Sequence, residues 1–492
     1  MRKSIPCPVQ ITAAATPQHP ALCDETRTLS YGQLDTAVDR LIAGLNRHGV
    51  ISGDVLAVLA ENSIEYAVLF FAAMRAGFIL MPLNIRLSEP DWREQIVQSH
   101  CKLLVYDSAF GEKVRSLPMD TAAIAEFDLY GDAAAASAAD SLYDLGHDAV
   151  IFFTSGSTGS PRGVLLTWSN LYYSAFGVQQ VLGYTKEDCW LAVLPFFHVG
   201  GISILMRMAL VGGTTCIMSK FRAPMVLRKI ADKGIAYLSV VPTMLDGLMR
   251  QDAASLLSSL KAIIVGGAAF DSALRQEAVS RELPVLTTYG MTETASMVTL
   301  LPKAGRSDRL TTSGKALPFR EIRIVGEQSE TLSPGQTGKI QVRGEVLFSR
   351  YLSDTASRRD SDGWFEAGDI GQLDSNGYLT VFGRHEDLIV SGGENIDLKR
   401  IEQAIRSLAG VSDVVVMGRP DKKWGARPVA FVVSSDPHLD QQTILDTISP
   451  VLPRIMIPDT VVVVSELPLT GSGKYDRQAL RLKFSEVFQE RA

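Results

Sequence analysis

A run of glycine and hydroxyl residues, which follows an apolar segment at 150–153, has the composition of a loop that binds phosphate. Glycine lets the backbone approach an anion closely, N–H groups and hydroxyls donate to phosphate oxygens, and an arginine neutralises charge. The spacing matches neither a Walker A loop nor a Gly-x-Gly-x-x-Gly fingerprint. A plain surface turn is the alternative, and the apolar segment and the arginine favour a phosphate site over it. The loop residues are Thr154, Ser155, Gly156, Ser157, Thr158, Gly159, Ser160, Pro161 and Arg162.

This loop resembles the phosphate-binding loop of the acyl-adenylate-forming ligases, the superfamily of acyl-CoA synthetases, luciferases and peptide-synthetase adenylation domains. Those enzymes usually carry lysine where this chain has Arg162, a replacement that keeps the charge and changes its geometry. Further motifs follow in the family's order, so that the resemblance runs from Thr154 to Lys474 and covers most of the chain. It implies that the loop binds the β- and γ-phosphates of ATP.

A motif in the middle of the chain, Tyr-Gly-Met-Thr-Glu-Thr at 289–294, resembles the family's adenine- and α-phosphate-binding segment. The resemblance implies that Tyr289 stacks on adenine, that Thr292 contacts the α-phosphate and that Glu293 helps to hold Mg²⁺. The residue types suit these roles, since a base needs a flat aromatic face and a hard cation needs a hard carboxylate oxygen.

Three more segments resemble the family's contacts with the nucleotide. Gly266, Gly267 and Ala268 follow an apolar segment and match the backbone turn that lines the adenine site. Asp369 matches the residue that accepts hydrogen bonds from the ribose hydroxyls, although Ala367 stands where the family usually has threonine. Arg384 matches a second contact with the ribose and phosphates.

The C-terminal motifs resemble those of the family's mobile small domain. Gly392 and Gly393 match the glycine loop that helps to form the pantetheine tunnel, and Glu386 falls at the hinge, where the family usually has aspartate or lysine. Lys474 matches the lysine that enters the adenylation site. Domain rotation about the hinge exchanges that lysine for the glycine loop, so that one active site runs two half-reactions.

The reaction implied by the resemblance is the activation of a carboxylic acid by ATP. Attack of the carboxylate on the α-phosphate gives an acyl-adenylate and pyrophosphate, and a thiol then displaces AMP. The α-phosphate gathers negative charge in the transition state, so preorganised donors and cations supply most of the catalysis. We assign the stabilisation of this charge to Lys474 and Thr292. The resemblance also implies that the enzyme uses ATP and Mg²⁺ and takes CoA as a substrate.

Two polar residues near the middle of the chain bear on which acid is activated. His198 falls where the family has an aromatic or histidine residue near the reacting carboxylate, and Arg207 lies nine positions later in an apolar helical segment. A buried cation is costly unless it is paired. A satisfied core histidine, and an arginine that reaches the surface or a neighbouring carboxylate, are the structural alternatives. The functional interpretation is that Arg207 anchors a second negative charge on the substrate.

The segment His-x-x-Gly-x-Ser-Ile-Leu-Met-Arg at 198–207, with residues 288–296 and 314–318, is similar to the o-succinylbenzoate–CoA ligases of menaquinone and phylloquinone synthesis. Their substrate is an aromatic dicarboxylate, of which one carboxylate is activated and the other needs a cation. We expect Gly266 and Ser296 to line the acid site, and the small residues Gly201, Ala268 and Ser296 to leave room for an aryl ring.

Three alternatives belong to other function classes. A fatty or aryl acyl-CoA ligase of different specificity would turn over monocarboxylates and use Arg207 structurally. A stand-alone adenylation enzyme would charge a carrier protein and ignore free CoA. A non-catalytic binding protein would carry damaged catalytic positions, but Glu293, Asp369, Arg384 and Lys474 are all present.

Composition agrees with a multidomain enzyme that binds small molecules. The 492 residues are 46% apolar and 21% charged, which excludes disorder and a small disulfide scaffold. The net charge of −6 argues against a nucleic-acid partner. No segment is long and apolar enough to cross a membrane, and no signal peptide is evident, so we expect a cytoplasmic protein with reduced, mostly buried cysteines. The resemblance implies no particular oligomeric state.

The elements that must position these motifs alternate between helices and strands. Helices are predicted at 31–45 and 66–76 and strands at 55–59, 103–106 and 150–153, a pattern typical of parallel sheets covered by helices. The Ala- and Asp-rich stretch 122–139 is predicted to be a linker or a weak surface helix. We therefore predict an α/β fold with a large N-terminal domain (1–384) of two α/β subdomains and a small barrel-like β subdomain, and a small mobile C-terminal α+β domain (385–492).

Overall fold

The computed structural model describes residues 4–117, 122–125, 142–155, 161–268, 270, 272–303, 309–354, 358–384, 388–391, 394–422, 424–436, 439–469 and 475–489. The helices within these residues are α1 (Pro8–Ala15), α2 (Tyr31–Arg47), α3 (Ile64–Ala76), α4 (Glu89–Gln98), α5 (Gly111–Ser116), α6 (Trp168–Leu182), α7 (Val199–Val211), α8 (Ala223–Lys233), α9 (Pro242–Met249), α10 (Ser272–Ser280), α11 (Leu398–Arg406), α12 (Gln441–Ile448) and α13 (Arg477–Lys483). Single turns of 3₁₀ helix cover Ser108–Phe110, Leu256–Ser259, Thr292–Thr294, Arg454–Met456 and Ser485–Phe488.

Capping residues set where the longer helices begin and end. At the start of α2, Ser30 Oγ accepts a hydrogen bond from the Gln33 N–H, and Gln33 Oε1 accepts one from the Ser30 N–H. This reciprocal pair satisfies two backbone donors that the first turn of a helix leaves unpaired. Helix α7 ends at Gly212, whose φ of 70° is the left-handed conformation that glycine adopts at low cost.

The first of two seven-stranded sheets contains the strand that leads into the phosphate loop. Its strands, in spatial order, are Arg350–Tyr351, Pro161–Thr167, Asp148–Ser155, Ile79–Pro82, Val55–Leu59, Leu103–Tyr106 and Ala122–Ala125. The pairings from Asp148–Ser155 onward are parallel, and the two at the other edge are antiparallel. The predicted strands at 55–59, 103–106 and 150–153 lie here, beside a core that includes Leu59, Leu104 and Ile151.

The second seven-stranded sheet carries the strands that precede the adenine and acid motifs. Its order is Val285–Thr287, Ala262–Val265, Ile235–Val240, Cys189–Ala192, Thr214–Ile217, Pro20–Cys23 and Thr28–Ser30. All pairings are parallel except the last. The five cysteines of the chain (Cys7, Cys23, Cys101, Cys189 and Cys216) are free thiols and buried, as the sequence predicts.

Shorter strands form the remaining sheets. A four-stranded sheet has the order Arg320–Val325, Gly338–Gly344, Phe365–Leu373 and Leu379–Arg384. Near the C-terminus, Glu394–Asp397, Leu388–Ser391, Gly425–Ser434 and Val411–Asp421 lie side by side, and Thr460–Val464 pairs in parallel with Gly425–Ser434. Two-stranded pairs join Ser4–Pro6 to Leu142–Asp144, Gly290–Met291 to Ser296–Met297, and Thr299–Leu300 to Lys315–Ala316.

By its internal packing the chain divides into two compact units. The first comprises Met1–Arg323, Gln341–Phe365 and Leu373–Thr380, and the second comprises Ile324–Ile340, Glu366–Gln372 and Val381–Ala492. The predicted domain boundary at 384/385 stays a prediction. None of the helices in the described residues has the length and apolar character needed to cross a membrane.

One expectation about the elements is wrong. The stretch 122–139 was expected to be a linker or a weak helix, but its first four residues, Ala122–Ala125, form a strand parallel to Leu103–Tyr106. An edge strand of a parallel sheet is held by backbone hydrogen bonds to its neighbour, and alanine composition alone carries little signal for that pairing. The rest of that stretch lies outside the described residues.

Candidate active site

The phosphate loop is the connection of a β-hairpin. Asp148–Ser155 and Pro161–Thr167 run antiparallel, with Ser155 opposite Pro161 and Thr154 opposite Arg162. The Thr154 hydroxyl donates to the Arg162 carbonyl at 3.4 Å. Three predicted phosphate-binding residues, Thr154, Ser155 and Arg162, therefore lie at the base of the hairpin, while Gly156, Ser157, Thr158 and Gly159 lie outside the described residues.

The 289–296 motif is a tightly folded turn. Thr292–Thr294 is a single 3₁₀ turn between two paired strands, and the Thr294 hydroxyl accepts a hydrogen bond from the Met291 N–H at 3.1 Å. A Cβ on Gly290 would lie 1.8 Å from the Ser296 carbonyl oxygen, so only glycine fits there. Ser296 has a φ of 98°, which is a strained value for a residue with a side chain. The turn presents Thr292 and Glu293 as half-buried side chains.

The Glu293 side chain has one protein partner among the described residues. The Tyr351 hydroxyl donates to Glu293 Oε1 at 2.9 Å, and no described residue donates to Oε2. Burial, and next the negative charge of Glu293, raise the pKa of Tyr351. A half-buried carboxylate with an available oxygen fits Mg²⁺, which is held by one or two carboxylates together with substrate phosphates. The described residues contain no cluster of three or more His, Cys, Asp or Glu side chains that could hold a metal ion.

The predicted adenine wall lies beside the 289–296 motif. Gly266 follows the strand Ala262–Val265, and a Cβ on Gly266 would lie 2.5 Å from Thr288 Cγ2, immediately before Tyr289. Gly267, with a φ of 80°, and Ala268 are exposed at this edge. The carboxyl ends of parallel strands are where open α/β sheets bind ligands.

In the second compact unit, the predicted ribose ligands form an ion pair. Arg384 Nε lies 3.0 Å from Asp369 Oδ1. The Asp369 side chain is only 10% exposed and the Arg384 side chain is 52% exposed. Arg384 Nη1 also donates to the Ala367 carbonyl at 3.4 Å, so the backbone oxygen of the unusual Ala367 contacts this arginine.

The helix that carries the acid-site residues begins directly after His198. That residue is exposed and extended in φ and ψ at the N-terminal cap of α7, and its ring lies against Phe197 with the centroids 4.7 Å apart. The expectation that Gly201 leaves room for an aryl ring is wrong. A Cβ there would lie 2.2 Å from the Pro195 carbonyl oxygen, so glycine instead allows the close approach of two backbone segments.

Arg207 is a fully buried cation that lacks a carboxylate partner among the described residues. Its relative exposure is 0%, and its Nη2 donates to Ser296 Oγ at 3.2 Å. The guanidinium carbon lies 5.3 Å from the centroid of the Trp190 ring. Nε and Nη1 are buried and find no hydrogen-bond partner. Burial lowers the pKa of Arg207 to about 10, and a guanidinium with two unused donors is the group that an anion would satisfy.

A second buried arginine, which sequence reasoning missed, reaches the same short strand. Burial, and next the charge of Arg207, lower the pKa of Arg320 to about 9. Within the described residues the Arg320 guanidinium donates only to backbone carbonyls, those of Tyr173, Ser174, Met297 and Pro318. Arg207 and Arg320 thus bind the adjacent residues Ser296 and Met297. No local sequence pattern identifies Arg320 as buried.

Several predicted residues lie outside the described residues, and their roles stay predictions. Besides the four loop residues named above, these are Glu386, Gly392, Gly393 and Lys474.

Comparison with known proteins defines the class to which this site belongs. The family described as AMP-binding enzyme matches residues 9–352, and the AMP-binding enzyme C-terminal domain matches residues 400–474. The chain therefore belongs to the family of AMP-binding enzymes.

Its relatives include enzymes of one activity. A 2-succinylbenzoate–CoA ligase of Listeria monocytogenes is 32% identical over 473 residues, which are 96% of this chain and 98% of that protein. The structure of o-succinylbenzoate CoA synthetase from Bacillus subtilis with its acyl-adenylate intermediate has a TM-score of 0.87, 30% identity, and coverage of 97% of this chain and 98% of that one. The same enzyme with ATP and magnesium ion has a TM-score of 0.88, 30% identity, and coverage of 97% and 100%.

Proposed function

We propose that this chain is an ATP-dependent acid–CoA ligase that converts o-succinylbenzoate into o-succinylbenzoyl-CoA for menaquinone synthesis. The observation that carries the substrate assignment is Arg207, a fully buried guanidinium with two unused donors beside Ser296. The near-full-length relatives with this activity support it.

In the first half-reaction, a carboxylate oxygen of the acid attacks the α-phosphorus of ATP, and the bond from that phosphorus to the pyrophosphate oxygen breaks. We assign Thr292 as a donor to the α-phosphate and Lys474 as the cation that stabilises its added charge. The hairpin loop, with Thr154 at its base and Arg162 as its cation, binds the departing phosphates. Glu293 would hold Mg²⁺, and the bound ion would supply positive charge to the phosphates.

Substrate specificity in this proposal comes from the end of the acid that does not react. The second carboxylate of the dicarboxylate accepts hydrogen bonds from Arg207, and Ser296 Oγ orients the guanidinium. A charge-assisted pair of this kind is strong in a buried site and is lost with a monocarboxylate. His198 and Gly266 line the acid site nearer to the reacting carboxylate, while Tyr289, Gly267 and Ala268 bind the adenine.

In the second half-reaction, the sulfur of CoA attacks the acyl carbon and AMP leaves with the electron pair of the acyl–phosphate bond. We propose that residues 385–492 rotate about Glu386, which withdraws Lys474 and brings Gly392 and Gly393 to the thiol's path. Asp369 and Arg384 bind the ribose. Because ATP and CoA are cytoplasmic substrates, we also propose a cytoplasmic location.

A thioester assay over a panel of acids tests this proposal. Purified protein with ATP, Mg²⁺ and CoA is given o-succinylbenzoate, benzoate, cinnamate or octanoate, and AMP and thioester are measured separately. We expect both products with o-succinylbenzoate and little of either with the monocarboxylates. Turnover of the monocarboxylates alone would contradict the substrate assignment, and AMP formation without CoA thioester would indicate an enzyme that charges a carrier protein.

A further inference from the structure

A short segment that follows the strand Gly338–Gly344 is hydrogen-bonded to the turn that carries Glu293 and to the phosphate-loop hairpin. The segment 348–352 contains the edge strand Arg350–Tyr351 of the first sheet. Its Phe348 N–H donates to the Glu293 carbonyl at 2.8 Å. Its Ser349 and Leu352 N–H groups donate to the hairpin arm 161–167, each at 2.8 Å. The segment is therefore fixed to the Glu293 turn at one end and to the phosphate-loop hairpin along its length.

The Tyr351 side chain makes the same two connections. Its hydroxyl donates to Glu293 Oε1 at 2.9 Å, and its ring centroid lies 5.9 Å from the guanidinium carbon of Arg162. On the backbone, Tyr351 is opposite Val164 in the antiparallel pairing with the hairpin arm. One tyrosine thus donates to the carboxylate assigned to Mg²⁺ and has its ring near two cations, Arg358 at 5.2 Å and Arg162, the cation assigned to the phosphates, at 5.9 Å.

We propose that Tyr351 is a positioning residue that holds the Glu293 carboxylate in the rotamer required for Mg²⁺ and keeps Arg162 next to it. This inference rests on the proposed function, because it takes Glu293 as the metal carboxylate. Tyr351 touches neither substrate nor metal in this scheme, and acts through Glu293 and Arg162.

The physical reason lies in the geometry that Mg²⁺ demands. Mg²⁺ accepts little departure from octahedral coordination at short distances, and outer partners that orient a metal-binding carboxylate commonly change metal affinity by about 10- to 100-fold. Tyr351 bonds Oε1 and leaves Oε2 without a donor among the described residues. The side chain is thereby oriented while one oxygen is left available.

The test is the contribution of Mg²⁺ to nucleotide binding, measured without turnover. The affinity for the non-cleavable analogue α,β-methylene-ATP is determined by calorimetry with Mg²⁺ and with EDTA. Tyr351→Phe removes the hydroxyl and keeps the ring beside Arg162. The matched control is Tyr31→Phe, which removes a buried hydroxyl that donates to the Gly213 carbonyl at 2.8 Å, and neither of these residues is assigned to the nucleotide or metal site.

The Mg²⁺-dependent gain is the ratio of the nucleotide affinity with Mg²⁺ to the affinity in EDTA. We expect this ratio to be about 10-fold smaller in Tyr351→Phe than in the wild type, and the affinity in EDTA to be the same in both. Tyr31→Phe should keep the gain, although both variants lose one hydrogen bond and a comparable increment of Tm. Glu293→Gln should lose the gain altogether.

The remaining outcomes separate this inference from the proposed function. If Glu293→Gln loses the gain and Tyr351→Phe keeps it in full, Tyr351 does not position the carboxylate. If the wild-type protein itself shows no Mg²⁺-dependent binding, or Glu293→Gln retains it, the metal role of Glu293 fails and the inference falls with it.

Discussion

Two arginines on apolar helices show how a structural buried cation differs from one available to a ligand. Arg75 lies in the last turn of α3 and Arg207 in α7, with relative exposures of 9% and 0%. Arg75 reaches Asp35 and Asp39 on α2, each at an N–O distance of 2.5 Å. Within the described part of the chain, Arg207 reaches only a hydroxyl and an aromatic face. Both arginines lie in similar apolar helical sequences, so residues distant in the chain determine whether the cation is paired with carboxylates.

The protonation equilibria of the two side chains differ accordingly. Burial opposes the charged form at both positions. At Arg75, the interactions with Cys7, Asp35 and Asp39 outweigh burial and raise the pKa. At Arg207 burial dominates and lowers the pKa to about 10. Among the described residues, the fold therefore pairs Arg75 with carboxylates and leaves Arg207 without one, as the proposed anchoring of an anion requires.

The largest expected effect is on catalysis at Arg207. Replacing it with methionine, which is apolar and of similar length, removes the proposed anchor for the second carboxylate. We expect kcat/KM for o-succinylbenzoate to fall by about 10²-fold, as for the loss of a buried charge pair. Steady-state assays measure this ratio, and the Arg75→Met variant at the same folded concentration is the control. An Arg207→Met enzyme with wild-type kcat/KM would show that its charge is structural as well.

The second effect is on stability at Arg75. Arg75→Met leaves Asp35 and Asp39 without their cation, so we expect the free energy of unfolding to fall by about 2 kcal/mol, less than for a fully buried pair because Asp35 is partly exposed. Urea unfolding followed by circular dichroism measures it. Neutralising both Asp35 and Asp39 in the Arg75→Met chain should recover part of the lost free energy. An Arg75→Met variant with the wild-type urea midpoint would show that the ion pairs do not contribute to stability.

The smallest effect has the opposite sign. Burial lowers the folded-state pKa of Arg207 to about 10, below its value in the unfolded chain, so the unfolded chain binds the proton more tightly. Stability therefore rises with pH only above about 10, and the full penalty, on the order of 3 kcal/mol, is present at neutral pH. After subtraction of the lost Ser296 and Trp190 contacts, we expect Arg207→Met to gain about 1 kcal/mol at pH 7.5 without substrate. If the free energy of unfolding of Arg207→Met fell as much as that of Arg75→Met, both arginines would be structural cations.

The sequence predicts the parts of the site that depend on local order. Strand and glycine signals predict a loop that carries Thr154 and Arg162, and the family resemblance assigns both Asp369 and Arg384 to the ribose. The hairpin form of that loop and the Asp369–Arg384 ion pair are seen in the structure. The α/β class follows in the same way from alternating periodicities.

The rest depends on contacts between residues far apart in the chain. Arg207 and Ser296 are 89 positions apart, and neither local pattern indicates that they meet. Tyr351 and Arg320 carry no motif signal and are identified only by what they touch. The prediction that Gly201 leaves room for an aryl ring was wrong for a related reason. A glycine can leave space for a ligand or allow two backbone segments to approach closely, and its local sequence does not distinguish these cases.

The positions of the buried cysteine thiols make thiol labelling a measure of local unfolding in the first compact unit. All five cysteines lie at or before position 216 and are buried in the first compact unit, and the second unit has none. Labelling of the protein by an alkylating reagent therefore reports on exposure of the first unit's interior. Mass spectrometry of labelled protein over time would read the opening rate of the unit that contains both Arg75 and Arg207, one cysteine at a time.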